Sequence, residues 1–211
     1  MKKVIATLAV LVAATGIALA QSPSAGLAYI NSTKTTKVNN NDPTTAAGTG
    51  FGIGGNIEFD LVSGIKVTPG LYFGRIVTKD AADVLGLLAG TGTETENYLM
   101  VPVRFSYGYE LFQGLKVFAF MGPNFSYCLS SKSLYTATVT GLGSGETTVD
   151  NFDDGSDYQR FDTMVGFGAG FDIMDMVRVA VSYDLGMFDL NADDSIKLNR
   201  NQLGVTVSYL F

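Results

Sequence analysis

The side chains that most often carry enzymatic chemistry are scarce in this sequence. Its 211 residues include no histidine, no tryptophan and a single cysteine, Cys128. Without imidazole the chain has no Ser-His-Asp or Cys-His nucleophile, no histidine-ligated zinc and no histidine acid–base group. One thiol cannot form an internal disulfide or a four-thiolate metal site. We therefore expect no enzymatic activity and no cofactor.

The charged side chains argue against nucleic acid as a partner. Lysine and arginine number 14 against 20 aspartate and glutamate, which gives a net charge of −6 at pH 7. Nucleic-acid binding depends on clustered basic side chains that neutralise phosphates. The basic residues here form no such cluster, so we expect no nucleic-acid partner.

Two stretches match known binding motifs only in part. The segment Gly50–Gly55 has the spacing G-x-G-x-x-G of a dinucleotide site, but that motif requires a strand that turns into a helix, and strand alternation continues through it. The segment Asp150–Asp157 resembles part of a calcium loop, yet Phe152 occupies a ligand position and no glutamate stands at position twelve. A solvated acidic loop is the preferred interpretation, and a weak divalent-cation site is the alternative.

The first 20 residues have the pattern of a secretory signal peptide. Met1-Lys2-Lys3 is followed by an apolar run, and Ala18-Leu19-Ala20 forms a small-x-small cleavage site. The alternative, a transmembrane helix, is disfavoured because the run is short and ends without flanking charge. We predict cleavage after Ala20 and one exported domain over residues 21–211.

The exported part shows two-residue periodicity and no helical period. In the last ten residues, apolar side chains occupy the odd positions Leu203, Val205, Val207, Tyr209 and Phe211. This alternation is typical of a strand with two unlike faces. The same pattern predicts strands at 24–31, 51–61, 65–75, 99–111, 115–128, 161–173, 177–187 and 202–211.

The connections between these eight strands alternate in length. Tight links are expected at 60–64, 110–114 and 172–175, and long polar loops at 31–48, 77–96, 129–158 and 189–197. Even strand number with short turns at one end and long loops at the other is typical of bacterial outer-membrane barrels. The predicted fold is all-β: an eight-stranded antiparallel transmembrane β-barrel, an up-and-down meander, with both termini at the short-turn end.

The composition of the two faces separates a membrane barrel from the alternatives, a soluble barrel or a sandwich. The polar face is rich in glycine, which suits a crowded lumen better than a water-exposed surface, and the apolar face suits lipid. We expect Phe118 and Phe120, which fall on the polar face, to fill space opposite glycines of other strands. Charges of both signs on this face should neutralise one another inside the barrel: Glu58, Lys66, Arg104, Glu110, Lys116, Arg160, Asp162, Arg178 and Asp184.

Several stretches resemble a known family. The ending Gly204–Phe211 looks like the terminal strand that the outer-membrane assembly machinery recognises, with Val207, Tyr209 and Phe211 as the signal. The stretch Tyr98–Tyr107, followed by Lys116–Tyr127 with its Gly-Pro pair, is similar to the PorT-like porin-family barrels of Bacteroidetes. The resemblance, which extends to the wider OmpA/OmpX class of small barrels, implies an outer-membrane location in contact with lipid and surface loops that carry the function.

These observations lead to a structural and interaction role as the first functional hypothesis. A filled lumen would leave the long loops to bind an envelope or extracellular protein, through the loop residues Tyr135, Phe152, Asp153, Asp154 and Tyr158. The alternative is a narrow porin or a small-solute channel, with an axial or lateral opening, because the lumen is polar. A lipid-modifying barrel enzyme is disfavoured because the chain has no histidine to act as a base.

Overall fold

The computed structural model describes residues 22–38, 42–61, 64–84, 88–139, 143–153, 158–191 and 196–211. The predicted signal peptide, residues 1–20, lies outside the described residues. In the described part, no helix is long and apolar enough to cross a membrane. That part contains nine strands: β1 (Ser22–Val38), β2 (Thr44–Asp60), β3 (Ile65–Val84), β4 (Leu88–Phe112), β5 (Leu115–Val139), β6 (Gly143–Asp150), β7 (Phe161–Ile173), β8 (Val177–Gly186) and β9 (Ile196–Leu210).

Eight of the strands close into a ring, which confirms the predicted barrel. All pairings in the ring are antiparallel. Around the ring the order is β1, β2, β3, β4, β5, β7, β8 and β9, and β9 pairs with β1 to close it. The ninth strand, β6, pairs with the last residues of β5, from Lys132↔Asp150 to Val139↔Gly143. Because the ring is closed, the eight barrel strands have no unpaired edge along the barrel wall.

The tight links lie where the sequence predicts them. β4 and β5 are joined across Gly114, which has a positive φ of 86° that favours glycine. β7 and β8 are joined by Met174, Asp175 and Met176; the first two have positive φ, and the amide N of Met176 donates to the carbonyl O of Ile173 at 3.0 Å. The amide N of Phe211 donates to the carbonyl O of Pro23 at 2.9 Å, so both described ends lie at the short-turn end.

The expected long loops at 31–48, 77–96 and 129–158 are largely strand instead. β1 with β2, β3 with β4, and β5 with β6 continue as paired hairpins beyond the apolar part of the wall. Threonine, valine and tyrosine in these segments favour extended backbone, and pairing satisfies the backbone hydrogen-bonding groups. The sequence pattern did not indicate these strands because polar residues dominate there and the few apolar ones, such as Leu134 and Tyr135, do not alternate with them, so hydrophobic alternation ends before the strand does.

The outer face of the barrel is apolar, as predicted, and the lumen combines polar and charged side chains with a buried apolar cluster that includes Ile30, Tyr72 and Met100. Phe51 and Ile53 expose 72% and 61% of their surface on the outer face, whereas the lumenal Arg200 exposes 1%. Every second residue of β2 from Gly48 to Gly54 is a glycine on the inner face. β2 spans the whole G-x-G-x-x-G stretch without interruption. This leaves no helix at that position for a dinucleotide site.

The prediction for the two lumenal phenylalanines is confirmed. A β-carbon placed on Gly170 would lie 2.5 Å from Cζ of Phe118, and one placed on Gly168 would lie 2.5 Å from Cζ of Phe120. Both rings therefore use space that the glycines of β7 leave open. A large residue on one strand and none on the facing strand is how a small barrel fills its lumen.

Candidate functional site in the barrel lumen

Charged side chains cross the lumen at three levels, which we call the lower, middle and upper layers, from the short-turn end to the long-hairpin end. In the lower layer, Arg178 of β8 makes two bonds to Asp172 of β7, from Nε at 2.7 Å and Nη2 at 2.8 Å. Its Nη1 reaches Glu58 of β2 at 2.7 Å, and Lys66 Nζ lies 2.5 Å from the same carboxylate. The guanidinium stands 4.6 Å from the ring centroid of Phe118. The lower layer thus ties three strand pairs together.

The middle layer is a single ion pair between β4 and β8. Arg104 Nη2 donates to a carboxylate oxygen of Asp184, and Arg104 Nη1 donates to the carbonyl O of Gly122 at 2.7 Å. The guanidinium also lies 5.7 Å from the centroid of Phe120. A β-carbon on Gly166 would collide with both members of the pair, so glycine there is what allows the pair to form.

The upper layer is the most deeply buried. Arg200 of β9 donates from Nη2 to Asp162 at 2.8 Å and to Ser126 at 2.9 Å, and it stacks 4.1 Å from the ring centroid of Tyr98. Beside it, Lys34 of β1 lies 2.9 Å from Glu94 and 2.8 Å from Glu96 of β4. Burial of such pairs is costly unless both partners are matched.

Asn151, Phe152 and Tyr158 cover the upper layer from the long-hairpin end. The Tyr158 hydroxyl donates to Glu96 at 2.8 Å, and its ring stacks on Phe152 at 5.4 Å between centroids. Burial raises the pKa of this hydroxyl, which keeps it protonated as a donor. Asn151 Nδ2 donates to Glu94 at 3.0 Å, and the Arg160 guanidinium lies 3.8 Å from the Phe152 centroid. We call Asn151, Phe152, Tyr158 and Arg160 the cap.

Three residues that the sequence placed in the lumenal charge network lie elsewhere. Lys116 is at the short-turn end, 3.2 Å from the exposed Asp175. Glu110 is exposed at the same end and stands opposite Lys116 in the β4–β5 register. Arg160 belongs to the cap and donates to the carbonyl O of Leu129 at 3.1 Å. Strand parity identified the inner face but not the height at which the lumen ends. The other six members lie in the three layers.

The residues expected at loop tips are divided between the surface and the cap. Tyr135 exposes 54% of its surface on the hairpin extension of β5, and Asp153 is exposed. Phe152 and Tyr158 instead turn inward and close the lumen, because their rings find apolar and cationic partners there. Asp154 lies outside the described residues.

Five charged residues of the layers were missed by sequence reasoning: Lys34, Glu94, Glu96, Asp172 and Arg200. Arg200 has the same parity as Gln202 on β9, and Glu96 has the same parity as Arg104 on β4. Extending the alternation past the apolar segments would therefore have placed Lys34, Glu94, Glu96 and Arg200 on the inner face, and Asp172 already lies on the polar face of the predicted strand 161–173.

The predicted assembly signal lies on the outer face at the short-turn end. Val207, Tyr209 and Phe211 expose 49%, 46% and 72% of their surfaces. The rings of Tyr209 and Phe211 meet edge to face at 5.1 Å. Aromatic side chains at this height suit the interfacial girdle of a membrane barrel.

The acidic stretch after β6 shows local turn bonding. The Asp150 carboxylate accepts from the amide N of Phe152 at 3.0 Å. Across the described residues, no group of three or more acidic or cysteine side chains is arranged to hold a metal ion. Every charged side chain named in the three layers lies within 4 Å of one of opposite sign. This arrangement can keep the strands in register and obstruct the barrel axis.

A family-model comparison agrees with this architecture. The family model described as outer membrane protein beta-barrel domain matches residues 5–211. No curated protein sequence matches significantly.

Similar solved structures include Ail, the attachment invasion locus protein of Yersinia pestis, at 12% identity and a TM-score of 0.41, covering 89% of this chain and 98% of that one. Neisserial surface protein A has 10% identity and a TM-score of 0.39 over 90% and 97%. The N-terminal β-barrel domain of Pseudomonas aeruginosa OprF has 14% identity and a TM-score of 0.31 over 87% and 97%.

Proposed function

Because the chain belongs to the outer membrane protein β-barrel domain family, we propose that it is a non-enzymatic outer-membrane protein that binds an envelope or extracellular protein through its long hairpins. The protein is located in the outer membrane, and the short-turn end is then periplasmic and the long-hairpin end extracellular.

One observation carries this proposal: a sheet that stands above the barrel wall. It consists of β3 from residue 79, β4 before residue 98, β5 after residue 129, and β6. Among the pairings of the described residues, β6 pairs on one edge only, with β5. An unpaired strand edge is a template for an added strand. We propose that an extended segment of the partner protein pairs with β6.

Exposed apolar side chains lie beside this edge. Tyr135 and Val149 expose 54% and 42% of their surfaces on one face of the extension, and Leu134 exposes 38% on the opposite face. Exposed tyrosine side chains are common anchors at protein interfaces. Specificity in strand addition comes from such side chains, while the backbone supplies hydrogen bonds.

The filled lumen argues against the alternative of an axial channel. The three layers and the cap place buried ion pairs and rings across the axis at successive heights. A closed trace in planar-bilayer recordings over a wide voltage range is the expected result. Steady ionic conductance by the purified protein would favour the porin alternative.

Two finer assignments belong to the same proposal. We propose membership of the PorT-like group on the strength of the Tyr98–Tyr107 and Lys116–Tyr127 stretches. We also propose that Val207, Tyr209 and Phe211 are read by the assembly machinery. Their outward position at the end of β9 leaves them accessible before the barrel closes.

The partner is tested by shortening the β5–β6 hairpin. Residues 135–147 are replaced by Asn-Gly, a sequence that favours a tight hairpin turn, so that Asn151 and Phe152 of the cap stay in place. Crosslinking in native membranes should yield a protein adduct that this variant loses. A matched control replaces residues 37–43 of the β1–β2 hairpin by Asn-Gly and should keep the adduct. Equal adducts in both variants would refute the assignment to β6.

A further inference from the structure

A chamber of about 140 Å³ lies in the lumen beside the middle layer. Its lining includes the apolar and aromatic side chains Ile30, Tyr72, Met100, Phe118 and Phe120, and the polar side chains Thr68, Asn124, Ser182 and Gln202. Three charged side chains also line it, Arg104, Arg178 and Asp184, and all three are engaged in ion pairs.

Three buried polar atoms of the chamber wall have no protein partner. They are Thr68 Oγ1, Asn124 Oδ1 and Gln202 Nε2, on side chains that are 8%, 5% and 4% exposed. Asn124 and Gln202 lie two residues along their strands from Ser126 and Arg200, which bond to each other across the lumen. Buried groups of this kind are costly without a partner. A hydroxyl group could donate to the amide oxygen and accept from the amide nitrogen.

Size and charge narrow the ligand class. A cavity of roughly 150 Å³ lined by apolar side chains is known to hold benzene, so this chamber has the volume for one six-membered ring. The arginines are already neutralised by Asp184, Glu58 and Asp172, so a charged ligand would have no free counter-ion. The walls therefore fit an uncharged ring that carries a hydroxyl group.

The barrel wall next to this chamber has interrupted pairing. Three neighbouring strand pairs each have a two-residue gap in their pairing, and the register is the same on both sides of each gap. The gaps are at 57–58 with 68–69 between β2 and β3, at 70–71 with 101–102 between β3 and β4, and at 103–104 with 122–123 between β4 and β5. Pro69, Pro102 and Pro123 lie within this band, and proline has no N–H to donate to a sheet. We call the band the seam.

The seam and the chamber share residues. Thr68, Pro102, Arg104 and Asn124 line the chamber and lie in or beside the seam. Gly122 has φ of 153°, and its carbonyl O accepts a hydrogen bond from the Arg104 side chain at 2.7 Å. By contrast, the β8–β9 pairing continues residue by residue from Val177↔Tyr209 to Asp184↔Gln202. Part of the wall around the chamber, from β2 to β5, thus has gaps in its pairing that the β8–β9 part does not have.

We propose that the chamber binds a small uncharged molecule of single-ring size bearing a hydroxyl group, and that this ligand reaches it from the membrane through the seam. This goes beyond the extracellular binding proposed above, and shortening the β5–β6 hairpin should leave it intact.

Binding is tested by fluorine NMR of the folded protein in detergent micelles, with para-fluorophenol as the probe and fluorobenzene as its hydroxyl-free match. A separate bound signal for para-fluorophenol, absent in empty micelles, is expected. Gln202→Leu should weaken this binding about tenfold, the value of one hydrogen bond of about 1.4 kcal/mol, and should leave fluorobenzene unaffected.

A filling variant separates the chamber from the lipid-facing surface. Ala180 lines the chamber, and Ala169 is exposed on the outer face of the neighbouring strand. Ala180→Leu should abolish the bound signal, whereas Ala169→Leu should retain it, with unchanged heat-modifiable gel mobility in both. A probe signal that survives Ala180→Leu, or no bound signal in the unmodified protein, would overturn the proposal.

The route is tested by locking the seam with a disulfide. In a Cys128→Ser background, Leu71→Cys with Val101→Cys places two thiols opposite each other across the seam, as the flanking pairs Pro69↔Val103 and Tyr72↔Met100 fix the register. Oxidation should slow probe exchange several-fold, and dithiothreitol should restore it. The matched pair Leu27→Cys with Ile53→Cys, across the intact β1–β2 ladder, should have no effect. Unchanged exchange in the locked seam would refute lateral access.

Discussion

The ion pair between Arg200 and Asp162 permits the sharpest test of the lumenal layers. Both side chains are almost fully buried, at 1% and 2% exposure, and Nη2 lies 2.8 Å from Oδ2. Arg200→Met keeps most of the aliphatic length and removes the charge. Asp162 then loses its cation, while Glu96 keeps Lys34 at 2.8 Å.

The expected cost follows from the burial of the remaining carboxylate. Removing one member of a buried pair costs about 3–5 kcal/mol, because the other charge is left without compensation. That corresponds to roughly a hundredfold to several-thousandfold change in the folding equilibrium. The double variant Arg200→Met with Asp162→Leu removes both charges, so it should recover most of the loss.

The assay is equilibrium unfolding in guanidinium chloride from lipid vesicles. Because the chain has no tryptophan to report by fluorescence, circular dichroism and gel mobility are the two probes. With a slope of about 4 kcal/mol per molar, the midpoint of Arg200→Met should fall by about 1 M, and the double variant should return close to the parent. A single variant that loses less than about 1 kcal/mol, or a double variant that is worse than the single, would refute the idea that the upper layer is a coupled buried pair.

Three further outcomes are expected. Tyr158→Phe removes a donor to the Glu96 carboxylate and should lower the free energy of unfolding by about 1–3 kcal/mol; no change would mean that the cap bond is not formed. Val181→Arg on the lipid face should cost about 2–4 kcal/mol, whereas Thr45→Arg on the exposed hairpin should stay within about 0.5 kcal/mol, and equal costs would contradict the assigned membrane band. Deletion of Phe211 should reduce the heat-modifiable fraction in outer-membrane preparations, and full assembly without it would argue against the proposed terminal signal.

The parity of the strands was predictable because it is a local property. On β9 the apolar side chains at every second position face outward, and the glycine and polar ones face inward. The same local rule placed Phe118 and Phe120 inside, and the facing glycines of β7 accept them. Short turns were also local, since Gly114 and Asp175 mark reversals of direction.

The pairing of charges across the lumen was not predictable because it depends on barrel geometry. Arg104 meets Asp184 from 80 positions away, and Arg178 meets Glu58 from 120. Which residues share a height is set by the tilt and stagger of all eight strands, and no single segment encodes it. The strand β6 escaped detection for a related reason: its Gly-Ser-Thr composition indicates a loop, and pairing with β5 makes it a strand.

The uneven height of the rim has a consequence for how anything approaches the cell surface at this protein. β4 and β5 are 25 residues long, so about ten residues of each stand clear of the bilayer and reach about 30 Å along the strand, whereas β7 and β8 stop close to it at Phe161 and Gly186. The rim of the barrel is therefore high at β4 and β5 and low at β7 and β8. A large molecule can come close to the membrane plane only on the β7–β8 side; on the other side it first contacts the tips of β4 and β5, well above the membrane.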